Sequence, residues 1–446
     1  MSQSCLAAID FGTTNSAIAV AQTDVSPRLL QWRIGGRTTE TYRSVIFFDE
    51  HDKDPTGRPK THTGPYAIAA YLDAGGEGRL IQSIKTYLKS RSFTSTNIGG
   101  VNYTIEALIA ILLRDLRRSA EAEHIELGDS LVLGRPVHFA GSVTEGVDDG
   151  DHFAVSRLRK AAALAGFTNV VFEYEPIAAA WSYEQRLDHD ELILIGDFGG
   201  GTSDFCILNV GPTRLQSGAR NVLGTAGVGI AGDIFDARLV RHAVAPALGL
   251  GDKTRSPFGT IMEIPRWIYS HLERWHLLSF LNTPKNQSML ADLIKQARRP
   301  EKLVALSHIV SDNLGYSLYS AVESTKVTLS TNTTAHIRFD DPPAVIDEMV
   351  TRNDFDQWIL SDVDRIIECA DNLLVSCNVT PNLIDRVFLT GGTSFLPQLR
   401  KVFEARFGPQ KIVGGKELLS VATGLGYRAQ QILERYGGLT DDGDMG

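Results

Sequence analysis

The sequence predicts an α/β protein built from two related halves, on three observations. An apolar run, an acid, a glycine-rich turn with hydroxyl residues and a second apolar run occur twice, in "CLAAIDFGTTNSAIAV" from Cys5 and "LILIGDFGGGTSDFCIL" from Leu192. The two acids, Asp10 and Asp197, are separated by a domain-sized stretch, too long for a solenoid repeat. Around each copy, strand-like apolar runs alternate with amphipathic helical ones.

Each copy reads as a hairpin. Glycines let the chain turn tightly and let a ligand approach the backbone, and the exposed N–H groups, hydroxyls and strand-end carboxylate suit a metal-bound phosphate. A single stretch of this kind reads equally well as an ordinary turn, but two change the balance. If the halves face each other, Asp10 and Asp197 together would hold a hydrated divalent ion, an arrangement suited to Mg²⁺.

Between the hairpins the pattern predicts a helix over 104–122, a strand over 131–139 and a helix over 155–166 stopped by Gly166. A short strand, "NVVFEY", and a helix over 175–187 with Pro176 in its first turn follow. Beyond residue 233 the chain reads as helical and tryptophan-rich, with Trp267 and Trp275 expected in its core, before strands return at "AHIRF" and "RVFLT". After the last of these, Gly391 and Gly392 form a turn against which a base or ribose would lie.

At 446 residues the chain is long enough for two or three domains, and 43% hydrophobic with 22% charged residues is an ordinary globular composition. A net charge of −9 speaks against nucleic acid or an anionic membrane as an electrostatic partner. No signal peptide or membrane span is read, so the expected compartment is the cytoplasm. Cys5, Cys206, Cys369 and Cys377 contain no paired motif and read as buried thiols. No Walker loop is present. A formal GxGxxG at Gly227, Gly229 and Gly232 lacks a good preceding strand and reads better as a turn for another ligand group.

These strings resemble the actin-like ATPases and, within them, the nucleotide-binding domain of the 70-kDa heat-shock protein family. "IDFGTTNSAIAV" and "DFGGGTSDFCIL" are similar to that family's two phosphate loops, and "YEPIAAAW" to the helix motif whose glutamate, here Glu175, positions the attacking water. "ESTKVTLS" resembles the adenosine-clamping helix, giving Glu323, Lys326 and Ser330. "LTGGTSFLP" resembles the adenosine loop, with Gly391, Gly392 and Thr393, and with Phe395 where the family has a base-stacking arginine. "SVATGLGYRAQQI" is similar to the last connecting helix, "RLIQSIKTYLKS" to the segment of the catalytic lysine, here Lys85, and "LGRPVHF" to the strand of the switch proline, here Pro136.

The resemblance covers about residues 5 to 435 apart from the helical stretch at roughly 240–310. It implies an actin-like ATPase fold, two related ribonuclease H-like lobes around a nucleotide cleft. Lobe I would span 1–190 with 415–435 closing back onto it, lobe II 191–414 with a variable helical subdomain at about 237–325, and 436–446 would be an acidic tail. ATP or ADP with Mg²⁺ would be bound. Gly12, Thr13, Thr14 and Asn15 would cradle phosphates from one side, and Gly199, Gly200, Gly201 and Thr202 from the other. Gly229, Gly232 and Asp233 would line the nucleotide, and Asp10 and Asp197 would hold the metal through water. Lys85, Glu175, Thr202 and Asp204 would serve catalysis. The implied function is an ATP-hydrolysing, chaperone-like protein lacking the peptide-binding domain, similar to the short YegD type, whose client or adaptor is unknown. A sugar or metabolite kinase and a filament-forming ATPase share the fold and are the alternatives.

Overall fold

The structure, a computed structural model, describes residues 5–34, 36–139, 150–184, 187–213, 221–255, 261–274, 277–278, 281–413 and 417–438. The chain forms two compact units, one of residues 1–231, 365–395 and 399–446, the other of residues 232–364 and 396–398.

Among the described residues the first unit holds two large sheets, whose ten principal strands are numbered here in chain order, and three smaller ones. The first sheet contains β1 (Cys5–Phe11), β2 (Asn15–Gln22), β3 (Val25–Leu29), β4 (Leu127–Arg135) and β5 (Asn169–Tyr174), in the order β5-β4-β1-β2-β3, with the short strand Tyr42–Arg43 also pairing with β2. The second contains β6 (Glu191–Phe198), β7 (Ser203–Val210), β8 (Asn221–Val228), β9 (Arg386–Thr390) and β10 (Ile412–Val413), in the order β8-β7-β6-β9-β10. In both sheets the first two strands form an antiparallel hairpin, the third extends it antiparallel, and the fourth and fifth add in parallel on the other side. The repeat seen in two short strings is therefore a repeat of whole-sheet topology.

Parallel addition requires crossover segments, and the helices supply them. In the first sheet these are α1 (Ile105–Ala122) and α2 (Gly150–Leu164), and in the second Arg352–Ser376 and Pro397–Phe407, while α3 (Glu175–Glu184) connects the two sheets along the chain and α4 (Glu417–Tyr436) follows the last strand. Thr104 caps α1 by accepting the Ala107 amide, and the helix's apolar face, including Leu108, Leu112 and Leu116, is buried in a cluster with Ile9, Ile18 and Leu133 of the first sheet. A second buried cluster joins the sheets. Ala8, Ala19 and Val132 of the first, Ile193, Ile195 and Cys206 of the second, and residues of α3 and α4 all belong to it. At the crossing of α3 and α4 a side chain on Gly424 would strike the Ala178 carbonyl, so the helices pack backbone to backbone.

Three boundaries differ from the sequence pattern. The strand expected over 131–139 stops at Arg135, because Pro136 has no N–H to give to the ladder. The helix expected over 155–166 begins at Gly150 and ends at Leu164, with Gly166 at φ +95° reversing the chain. The helix expected over 175–187 ends at Glu184.

The second unit is mainly helical. Helix Gly232–Leu239 runs on through a wider turn at Val240–Val244, and helices Arg266–Leu272, Pro284–Gln296, Pro300–Ser311 and Gly315–Thr331 follow. An antiparallel hairpin, Thr334–Asp341 with Ala344–Thr351, contains the strand expected at "AHIRF". Trp267 is not core. It is 42% exposed, because Ile268, Tyr269 and Leu272 are the residues that this short helix buries. Trp275 lies outside the described residues.

Candidate functional site

Both hairpins place an acid near the end of their first strand. Asp10 stands opposite Ala17 across the first hairpin, and Asp197 stands opposite Asp204 across the second. The first turn, 12–14, has no room for a side chain at Gly12, where a Cβ would meet the Asn15 carbonyl oxygen. Thr13, Thr14 and Asn15 remain partly accessible, and the Thr14 carbonyl is fixed by the Ser44 amide at 2.9 Å. The second turn closes with the Gly199 amide on the Thr202 carbonyl at 3.0 Å, leaving Gly199, Gly200, Gly201 and Thr202 partly accessible.

Lys85 lies in a short 3₁₀ turn, Ile84–Tyr87, entered through Ser83 at φ +55°. Its Nζ donates to Oε1 of Glu175, the first residue of α3, at 2.6 Å, and both side chains are over nine-tenths buried. Burial disfavours the ammonium, yet the carboxylates of Glu175, Asp10 and Asp204 outweigh it and hold the Lys85 pKa above its ordinary value. The same neighbourhood acts oppositely on the acids. Burial first and the charge of Glu175 second push both Asp10 and Asp204 up to about 7, and push Asp197 well above the carboxylate range.

One lysine thus faces four carboxylates, a local excess of negative charge. That donor set fits a divalent cation. Among the described residues no three His, Cys, Asp or Glu side chains converge as a direct metal cage.

Asp204 is held from behind. Its Oδ1 accepts the amides of Val137 at 3.0 Å and His138 at 3.2 Å, the first N–H groups freed from the sheet after Pro136, and its carboxylate also bonds Thr202. The His138 ring in turn meets Asp151 at 2.8 Å, and the Phe139 amide donates to the same carboxylate at 3.0 Å. A side chain at Gly227 would collide with Asp204, so the third strand of this sheet needs glycine there for packing.

The expected adenosine loop follows β9. Gly391, at φ +83°, lies against the Phe198 carbonyl, so the close approach it permits is to protein backbone. The Thr393 hydroxyl donates to the Gly199 carbonyl at 2.9 Å, tying this loop to the phosphate-type turn. Gly392 is exposed, and Phe395 is 49% exposed with its ring available for stacking. Gly229, past the end of β8, is also exposed, with open space where a Cβ would stand.

In the second unit, Glu323, Lys326 and Ser330 lie on helix Gly315–Thr331. Lys326 Nζ donates to Asp236 Oδ2 at 2.7 Å and to the Gly232 carbonyl at 3.4 Å, while the Ser330 hydroxyl bonds back to the Lys326 carbonyl. Burial, and then the charge of Asp236, push Asp233 up to about 6. Tyr319 also donates to Asp236, at 3.0 Å. Sequence reasoning missed Asp236 and Tyr319. The spacing of Asp233 and Asp236, one helical turn apart, was the available signal. Arg157 stood out only as an arginine near the place of the family's relay arginine; that it is buried and bonded to the segment after Lys85 was not legible.

The Hsp70 protein family model matches residues 80–248 and 299–430, well over half of the chain and including Lys85, Glu175, Asp197, Asp204, Lys326 and the 391–395 loop. With the doubled sheet topology and the lysine–carboxylate cluster already in place, the match establishes that the chain belongs to the Hsp70 family.

Proposed function

We propose that the protein is a Mg²⁺-dependent ATPase with the slow, switch-like turnover of a chaperone-type nucleotide domain. The general ATP-binding, chaperone-like character comes with family membership. The observation that carries the finer reading is the single buried Lys85 facing Glu175, Asp10, Asp197 and Asp204 at the ends of two equivalent hairpins.

In this reading Gly12, Thr13, Thr14 and Asn15 donate to the phosphates from one hairpin, and Gly199, Gly200, Gly201 and Thr202 from the other. Mg²⁺ held through water by Asp10 and Asp197 would neutralise charge on the β- and γ-phosphates. Lys85 stabilises charge that develops on the transferred group. Glu175 and Asp204 orient the attacking water, Asp204 being held for that task by two backbone amides. The resemblance gives adenosine contacts to Gly229, Gly391, Gly392 and Phe395 in the first unit and to Gly232, Asp233, Glu323, Lys326 and Ser330 in the second. Cys206 is fully buried and Cys5, Cys369 and Cys377 partly so, with no disulfide among the four, and the cytoplasm is the proposed compartment. Among the described residues no helix is long and apolar enough to cross a membrane.

The test is calorimetric titration with ATP and Mg²⁺, followed by phosphate release without any added acceptor. Tight binding with slow release is expected. Binding with release only after a sugar or metabolite is added would replace this reading with a kinase, and absence of binding would remove it.

A further inference from the structure

We infer that Arg157 is the positioning residue for Lys85. Arg157 lies on α2, in a part of the chain remote in sequence from the lysine, and its guanidinium is buried. Nε donates to Glu106 Oε1 on α1 at 3.0 Å. One terminal nitrogen is shared among the carbonyls of Tyr87, Leu88 and Ser90 at 3.1–3.3 Å, and the other donates to the Phe93 carbonyl at 2.9 Å. All four acceptors belong to the seven residues that begin two positions after Lys85. The Phe153 ring lies under the guanidinium at 4.7 Å.

This arrangement has a specific consequence for Lys85. The segment that carries it is a single 3₁₀ turn followed by irregular chain, whose carbonyls have no sheet or helix to satisfy them. One forked cation satisfies four of them and so fixes the path of the backbone. Only arginine has a planar array of five donors that can serve several acceptors while pairing with a carboxylate. Next to it, Lys89 pairs with Asp151 of the same helix at 3.1 Å, so α2 holds the segment at two places. Glu106 keeps the buried guanidinium compensated. Among the described contacts Arg157 touches none of the groups proposed to meet nucleotide. Its effect reaches the site through the position of Lys85.

Its kinetic consequence rests on the ATP-hydrolysing reading, whereas the placement of Lys85 does not, and the experiment separates the two. Purified full chain, Arg157→Gln and Arg157→Lys are treated with an amine-reactive label, and modification of Lys85 is followed by peptide mass spectrometry with Lys326 as the internal control. Arg157→Gln is expected to label Lys85 about tenfold faster or more, through local opening, with Lys326 unchanged. ATP hydrolysis should fall roughly 10- to 100-fold while ATP affinity stays within about threefold. In a Lys85→Ala background the same change should have no further kinetic effect, which a general loss of stability would not reproduce. Parent-like labelling of Lys85 in folded Arg157→Gln, or additive kinetic losses in the double variant, overturns the inference. If Arg157→Gln does not fold, Arg157→Lys decides by the same labelling, since it keeps a cation for Glu106 but loses the fork. If the parent chain hydrolyses no ATP, the proposed function fails and the labelling still decides the role of Arg157.

Discussion

Lys85 Nζ lies 2.6 Å from Glu175 Oε1, a buried ion pair joining a lone 3₁₀ turn to the first residue of a helix. Removing one partner of such a pair strands the other. Lys85→Ala should therefore cost about 3–5 kcal/mol of stability, less any relief from protonation of the acids left behind. It should also lower single-turnover hydrolysis by about 10²-fold or more, with ATP affinity changed much less. Equal turnover in variant and parent would remove Lys85 from the mechanism.

Metal binding should release protons, and the sign follows from the raised acids. Asp10 and Asp204 titrate at about 7 in the folded protein against an ordinary 3.8. Between those values the folded state holds protons that the unfolded state has lost, so these two groups make the metal-free protein less stable as pH rises through that window. A cation favours their ionised forms. Mg²⁺ affinity should rise across neutral pH, and the proton release from Asp10 and Asp204 should be substantial near about pH 6 and small near about pH 8.5, with Asp197 adding its own release. Calorimetry in buffers of different ionisation enthalpy measures the release; a pH-independent value would contradict the charge assignment.

Asp204→Asn preserves an acceptor for the Val137 and His138 amides but removes the carboxylate charge. The fold should remain intact and hydrolysis should fall about 10²-fold. Asp204→Ala frees both amides as well, and hydrogen exchange at 137–139 should rise in that variant alone. Comparable exchange in both variants would show that Asp204 does not anchor this loop.

Asp236→Ala leaves Lys326 without its carboxylate and Tyr319 without its acceptor. A loss of roughly 2–4 kcal/mol is expected by denaturant titration, given how little of Lys326 reaches solvent. Adenine-nucleotide affinity should fall with it if the family role of Lys326 holds. A variant as stable as the parent would show that the lysine finds another partner.

The architecture was legible because it is written locally. Alternating and continuous apolar runs define β1, β2, β6 and β7, and two glycine-rich turns mark where they reverse. The end of β4 was misjudged because the apolar pattern continues through Val137 and Phe139 while the hydrogen bonds stop at Pro136. The Lys85–Glu175 pair was reachable only as two separate residues. Nothing in the periodicity says that a lysine in an irregular segment will be buried, or that Glu175 will receive it. Arg157, Asp236 and Tyr319 were less accessible still, since their roles come from acceptors and donors distant in sequence, and pattern reading registers faces rather than pairings. Trp267 failed for a related reason: a seven-residue helix has too little apolar face to bury every large residue on it.

The crossing of α3 and α4 has a bearing on the chemistry. Ala178 is one turn along the helix from Glu175, and Gly424 meets its carbonyl with no side chain between them. The height at which the Glu175 carboxylate stands over the cluster is thus set by a missing methyl group near the other end of the polypeptide. At Gly424 even the smallest side chain acts as a wedge, and the residue it displaces first is one turn from the partner of Lys85.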